Sequence, residues 1–149
     1  MMKRTRNMVT LWTRNEVDNL SQCLKSGIPC VRPITVNENV IGLEFVGKDG
    51  LPYQTLAETE VDYADYENAI KIISYLYRRA KIVHGDLSEY KIFKTDRGLV
   101  VLDFGSAVDI RHPNAKEFLE RDIRNITKFF VKRGLTVENP IDVFERLIK

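Results

Sequence analysis

The chain has 149 residues, 44% hydrophobic and 30% charged, which suits one globular domain and excludes a low-complexity or collagen-like chain. With 23 basic against 21 acidic residues, the formal charge of +2 carries no case for nucleic acid, so direct nucleic-acid binding is not expected. No apolar run approaches the ~20 residues of a membrane span. The basic start Met1–Arg6 reads as a solvated terminus without a signal-peptide core, and Cys23 and Cys30 sit at no metal-ligand spacing. A reduced, cytoplasmic protein away from the membrane is the expectation.

The first predicted element is a helix from about Met8 to Leu24, where Met8, Trp12, Leu20 and Leu24 form one apolar stripe. Glu16 falls on the same stripe, and a carboxylate on a core-facing row needs a cationic or hydrogen-bonding partner. Gly27 stops this helix, with Pro29 and Pro33 punctuating the exit. Val40 to Val46 reads as a buried strand. From Tyr63 to Ala80, the residues Tyr66, Ala69, Ile70, Ile73, Leu76, Tyr77 and Ala80 keep a helical period and lead into Ile82-Val83-His84. Ile92 to Lys94, a turn at Thr95–Gly98 and Leu99 to Asp103 predict a hairpin. Pro113 can open a helix that runs to about Lys132 and stops at Gly134, and Asn139-Pro140 can cap a short last helix. The i,i+4 pairs Glu117 with Arg121 and Glu120 with Arg124 read as a solvated face.

Two carboxylates stand out. Asp86 lies in His84-Gly85-Asp86-Leu87-Ser88-Glu89-Tyr90-Lys91, on a polar loop just after a buried segment. Asp103 ends the apolar run Val100-Val101-Leu102 and is followed by Phe104-Gly105. Phosphoryl transfer asks little covalent chemistry of a protein. It needs a held nucleotide, a cation across the phosphates and a carboxylate beside the attacking hydroxyl. The two tripeptides His-Gly-Asp and Asp-Phe-Gly are weak singly. In this order, with a helix before and a hairpin between, they point to a phosphotransferase.

Pro113 follows Gly105 after only a short segment, with no Ala-Pro-Glu and a single long helix beyond, unlike an ordinary protein kinase. With His112-Pro113-Asn114-Ala115-Lys116-Glu117-Phe118-Leu119-Glu120-Arg121-Asp122, Gly27-Ile28-Pro29-Cys30 and Glu44-Phe45-Val46-Gly47-Lys48-Asp49-Gly50, the chain resembles the RIO family of atypical serine/threonine kinases, its first subfamily most closely. Aminoglycoside-type kinases share His-Gly-Asp-Leu but lack the later helix motif.

The resemblance implies an α+β fold: a kinase-like C-terminal lobe, helical with a small hairpin, preceded by one N-lobe helix and a hinge strand, over residues 1–149 as a single domain. It implies ATP and Mg²⁺ as ligands. Asp86 becomes the catalytic aspartate and Asp103 the metal-binding one, whose family counterpart is also considered a phosphate acceptor. Glu44, Phe45 and Val46 become the adenine hinge. Glu16 becomes the helix glutamate that pairs with an N-lobe lysine, His84 supports the catalytic loop, and Asp122 either braces that loop from behind or is an exposed helix residue. Family members act in cytoplasmic maturation of the small ribosomal subunit, so a pre-ribosomal particle is an expected partner.

Three departures accompany the resemblance. The glycine-rich loop and the lysine-bearing strand are not found, so the domain reads as truncated on its N-terminal side, with a partner or self-association covering that face. Lys91 stands where the family has a metal-binding Asn, and an ammonium has donors only, so it cannot ligate a cation. It can instead meet phosphates directly or pair with Asp86 or Asp103. Ser106, where Gln is usual, is a milder change. The expected function is a RIO-type kinase or ATPase homologue impaired at this site; the alternative is a pseudokinase that serves as a docking module.

Overall fold

The computed structural model describes residues 14–29, 33–37, 40–43, 47–48 and 51–149. Helix α1 (Arg14–Lys25) leads to two short antiparallel pairs, β1 (Pro33–Asn37) with β2 (Val40–Leu43), and β3 (Gly47–Lys48) with β4 (Leu51–Pro52). Helix α2 (Tyr63–Tyr75) follows, then β5 (Ile82–Val83), the hairpin β6 (Ile92–Thr95) and β7 (Gly98–Val101), β8 (Val108–Asp109), α3 (Ala115–Lys132) and α4 (Pro140–Ile148). The α+β class expected from the sequence is the one observed.

Helix α2 starts because Asp62 and Asp65 cap each other reciprocally: each carboxylate accepts the other's backbone N–H at 3.0 Å. Asp65 is buried and also accepts a bond from the Lys94 ammonium at 2.8 Å, which ties the start of the helix to β6. Its core face carries Tyr66, Ala69, Ile72 and Ile73. Helix α3 answers with Leu119, Ile123, Ile126 and Phe130. Tyr66 meets Phe130 edge-on at 5.5 Å. Burying each such side chain contributes about 1.5–3 kcal/mol, so this seam supplies much of the driving force for folding. Gly134 takes a left-handed φ of 88°, and the Leu135 N–H turns back to the Phe130 carbonyl at 3.1 Å, ending α3 at the glycine the sequence marks. Asn139 caps α4 through its side chain, with Pro140 in the first turn.

Several boundaries differ from the sequence expectation. Met8 and Trp12 lie outside the described residues. The helix expected over Tyr63–Ala80 is α-helical only to Tyr75 and then widens into a π turn over Leu76–Ala80. Lys81 exits left-handed, with its carbonyl accepting the Ile110 N–H, and this aims the chain into β5. Pro113 does not open α3; Asn114 precedes it and the first helical residue is Ala115. The second hairpin strand ends at Val101, two residues before Asp103. Three pairings were not anticipated: β1 with β2, β3 with β4, and β5 with β8. Among the described residues, no helix is long and apolar enough to cross a membrane.

Candidate active site

His84, Gly85 and Asp86 follow β5, and Asp103 follows β7. These two loops are held against each other from beneath. His84 is buried, its Nε2 lies 3.0 Å from the Leu102 carbonyl and its Nδ1 accepts the Asp86 N–H at 3.2 Å. One neutral tautomer satisfies both bonds, with the proton on Nε2. Burial lowers the His84 pKa, against the bond to the Leu102 carbonyl, and so favours that neutral ring. Phe104, fully buried, packs its ring 5.2 Å from the imidazole.

Gly85 is the point of closest approach. Its φ is +87°, and a Cβ there would lie 2.5 Å from the Ser106 carbonyl oxygen. Only glycine lets the two loops meet this way. Its backbone groups are claimed by α3: the N–H donates to Asp122 at 2.9 Å, and its carbonyl accepts from the Arg121 guanidinium at 2.6 Å. The second Asp122 oxygen accepts the Leu87 N–H at 3.1 Å. Asp122 is buried, and desolvation raises its pKa to about 6, against the lowering effect of the two N–H bonds. Arg121 is exposed, as expected of a solvated face, but its guanidinium bonds the Gly85 carbonyl where its spacing had offered Glu117. It reaches the loop carbonyl and lies 4.9 Å over the Phe118 ring, whereas Glu120 and Arg124 do pair along the helix surface.

Above this base sit the charged groups. The Lys91 ammonium is bonded to Asp103 Oδ2 and lies 3.6 Å from Asp86 Oδ2. Lys91 is mostly covered, while the side chains of Asp86 and Asp103 are 65% and 46% exposed. Asp103 adopts a φ of 63° and accepts the Gly105 N–H through Oδ1. Burial by itself would raise the Asp103 pKa, but Lys91 and the Gly105 N–H outweigh it and lower it; the Asp103 bond in turn raises Lys91. Beside Asp86, a cleft of about 490 Å³ opens between Gly85, Ser106, Phe118, Arg121 and Asn125. Another cavity, about 510 Å³ between α2 and α4, holds no part of these loops.

The structure thus brings together Asp86, Asp103, Lys91, His84 and Asp122. Helix α1 reaches the same corner through Asn19, whose side-chain amide donates to the Ala107 carbonyl at 3.2 Å, a contact the sequence reading missed. Glu16 lies in α1 with its side chain outside the described residues, and Glu44, Phe45 and Val46 lie outside them altogether. The donor set does not fit a divalent ion as it stands. A cation on Asp103 would meet the ammonium already bonded there, and Lys91 has no lone pair to offer. Among the described residues, no group of three or more carboxylate, His or Cys side chains is placed to hold a metal ion.

Comparison with known proteins shows the family. The RIO domain family profile matches residues 1–142. The chain is 41% identical over 130 residues to the RIO-type serine/threonine-protein kinase Rio1 of Haloferax volcanii, covering 85% of this chain and 44% of that protein. It is 34% identical over 140 residues to the serine/threonine-protein kinase RIO3 of Caenorhabditis elegans, covering 89% of this chain and 28% of the relative. A Rio2 kinase of Chaetomium thermophilum, solved as an ADP/Mg²⁺-phosphoaspartate complex, superposes with a TM-score of 0.69 at 21% identity, over 87% of this chain and 42% of that one. The chain spans less than half the length of these relatives. Matching along nearly its whole length, and carrying both loops of the kinase fold on one buried base, the chain belongs to the RIO family of serine/threonine kinases.

Proposed function

We propose that this chain carries the transfer half of a RIO-type, ATP-dependent phosphotransferase, and that Lys91 impairs its turnover. The observation that supports this most directly is the pairing of intact Asp86 and Asp103 loops with a Lys91 ammonium bonded to Asp103. In this reading Asp86, exposed at the cleft, accepts the proton of an acceptor hydroxyl as the γ-phosphoryl group leaves ADP. Asp103 is the second carboxylate at the phosphates, and a carboxylate acceptor for the phosphoryl group in an ATPase-like cycle. Glu44 to Val46 form the adenine hinge, and Glu16 orients a lysine of the nucleotide cleft. His84 and Asp122 hold the loop that carries Asp86. A pre-ribosomal particle in the cytoplasm is the partner that family membership supports.

Phosphate release from ATP and self-phosphorylation, measured on the full chain, test this. Native turnover is low, Lys91→Asn raises it by about tenfold or more in the presence of Mg²⁺, and Asp86→Asn abolishes it. Equal turnover with and without the Asp86 carboxylate overturns the catalytic reading. The same Lys91–Asp103 bond then favours the second one, a pseudokinase that serves as a docking module.

A further inference from the structure

Lys91 is not a loose surface lysine that has drifted onto a carboxylate. It closes a one-turn 3₁₀ helix, Glu89–Lys91, which Ser88 caps by accepting the Tyr90 N–H through its side chain. Its backbone N–H donates to the Ser88 carbonyl at 3.0 Å, and its carbonyl accepts the Leu102 N–H at 2.9 Å. Both ends of the peptide unit are therefore fixed, one to the Asp86 loop and one to the Asp103 strand. From that anchor the side chain delivers its charge to Asp103 Oδ2 and to within 3.6 Å of Asp86 Oδ2. An ammonium has three donors. One is used on Asp103, one faces Asp86, and one remains for an anion entering between the two carboxylates.

Resting on the phosphotransferase reading above, we propose that the Lys91 ammonium takes the place of the divalent cation in this site. It offsets one of the two carboxylate charges of Asp103 and Asp86 from within the chain, and the phosphates of a nucleoside di- or triphosphate bind against it without Mg²⁺. A divalent ion on Asp103 would have to displace the ammonium from its bond and then lie beside a like charge. With one built-in positive charge, the pair of carboxylates carries one net negative charge instead of two, which lowers its attraction for a free cation. The protein has kept the charge and given up the exchangeable ion.

Calorimetry on the full chain decides this, using ADP with Mg²⁺, ADP in excess EDTA, and Mn²⁺ alone. The native chain should take ADP with an affinity that changes less than about twofold between Mg²⁺ and EDTA, and should show no heat with Mn²⁺. For Lys91→Asn, Mg²⁺ should strengthen ADP binding by about tenfold or more, because two uncompensated carboxylates and an amide oxygen now meet the ion. Mg²⁺ enhancement of that size in the native chain overturns the inference and leaves the phosphotransferase reading standing. Absence of ADP binding to both chains under all conditions overturns the phosphotransferase reading. The cation replacement is then judged by melting at low salt. Lys91→Asn, or Lys91→Met if the first does not fold, should melt lower than native and recover with Mn²⁺, while native is indifferent to it. A variant that Mn²⁺ does not restore overturns it.

Discussion

Replacing Asp122 with asparagine tests the buried base of the site, and its pH signature can be worked from the structure. The carboxylate is buried and accepts the backbone N–H groups of Gly85 and Leu87, yet desolvation raises its pKa from 3.8 to about 6. Between those values the folded chain holds a proton that the unfolded chain has released. The resulting stabilisation is complete below about pH 4 and is lost as pH rises through about 6. Linkage gives about 1.3 kcal/mol of it between about pH 7 and about pH 5, and about 3 kcal/mol over the whole window. Asparagine does not titrate. The difference in unfolding free energy, native minus Asp122→Asn, should therefore grow by about 1.3 kcal/mol from about pH 7 to about pH 5. Urea unfolding followed by circular dichroism at the two pH values measures it. His84 works in the opposite sense: burial holds its pKa below 6.5, so its contribution is present above that value and is lost as pH falls. It is common to both proteins and leaves the difference unchanged to first order. A difference that stays constant with pH refutes the reasoning, because it would mean that the Gly85 and Leu87 N–H groups keep the carboxylate ionised against burial.

Two further perturbations probe the neighbouring contacts. Gly85→Ala puts a Cβ 2.5 Å from the Ser106 carbonyl at a φ of +87°, and should cost about 2–3 kcal/mol or more, read as a fall in the urea midpoint; an unchanged midpoint would show that the loops separate freely. Arg133→Met removes bonds of 2.7 and 2.6 Å to the Ala57 and Thr59 carbonyls at the end of α3. It should cost about 1–1.5 kcal/mol, with amide exchange quickened around residues 56–60, and uniform exchange would refute that local role.

What was legible in the sequence follows from how each contact is encoded. Helix ends were readable where one residue type solves a local problem, as Gly134 and Asn139 do. The paired loops were readable because polar residues directly after apolar strands leave few structural uses for Asp86 and Asp103. The β5–β8 pairing was not, since strands of two residues carry no periodicity. The partner of Arg121 was missed for a related reason. Helical spacing offered Glu117 as its partner, while the contact that prevails is to the Gly85 carbonyl, far away in sequence and coupled to its neighbour Asp122. The Lys94–Asp65 pair was equally invisible, being a bond between a hairpin and a helix start. The π turn after Tyr75 was hidden because Leu76 and Ala80 continue the helical pattern of burial.

The division of labour in these contacts explains why one residue can set the charge of the site without undoing the architecture. Asp86 is positioned by its own N–H on His84 and by Asp122 gripping the residues on either side of it. Asp103 is positioned by the Gly105 N–H and by Phe104 buried against the imidazole. None of these bonds uses the Lys91 side chain, and the backbone bonds of Lys91 would be equally available to asparagine. An ammonium at this position therefore alters the charge between two carboxylates whose places are set by other residues. Since positioning and electrostatics are the two contributions a protein makes to phosphoryl transfer, Lys91→Asn separates them: the loops should stay where the base holds them, while the cleft regains its affinity for a cation.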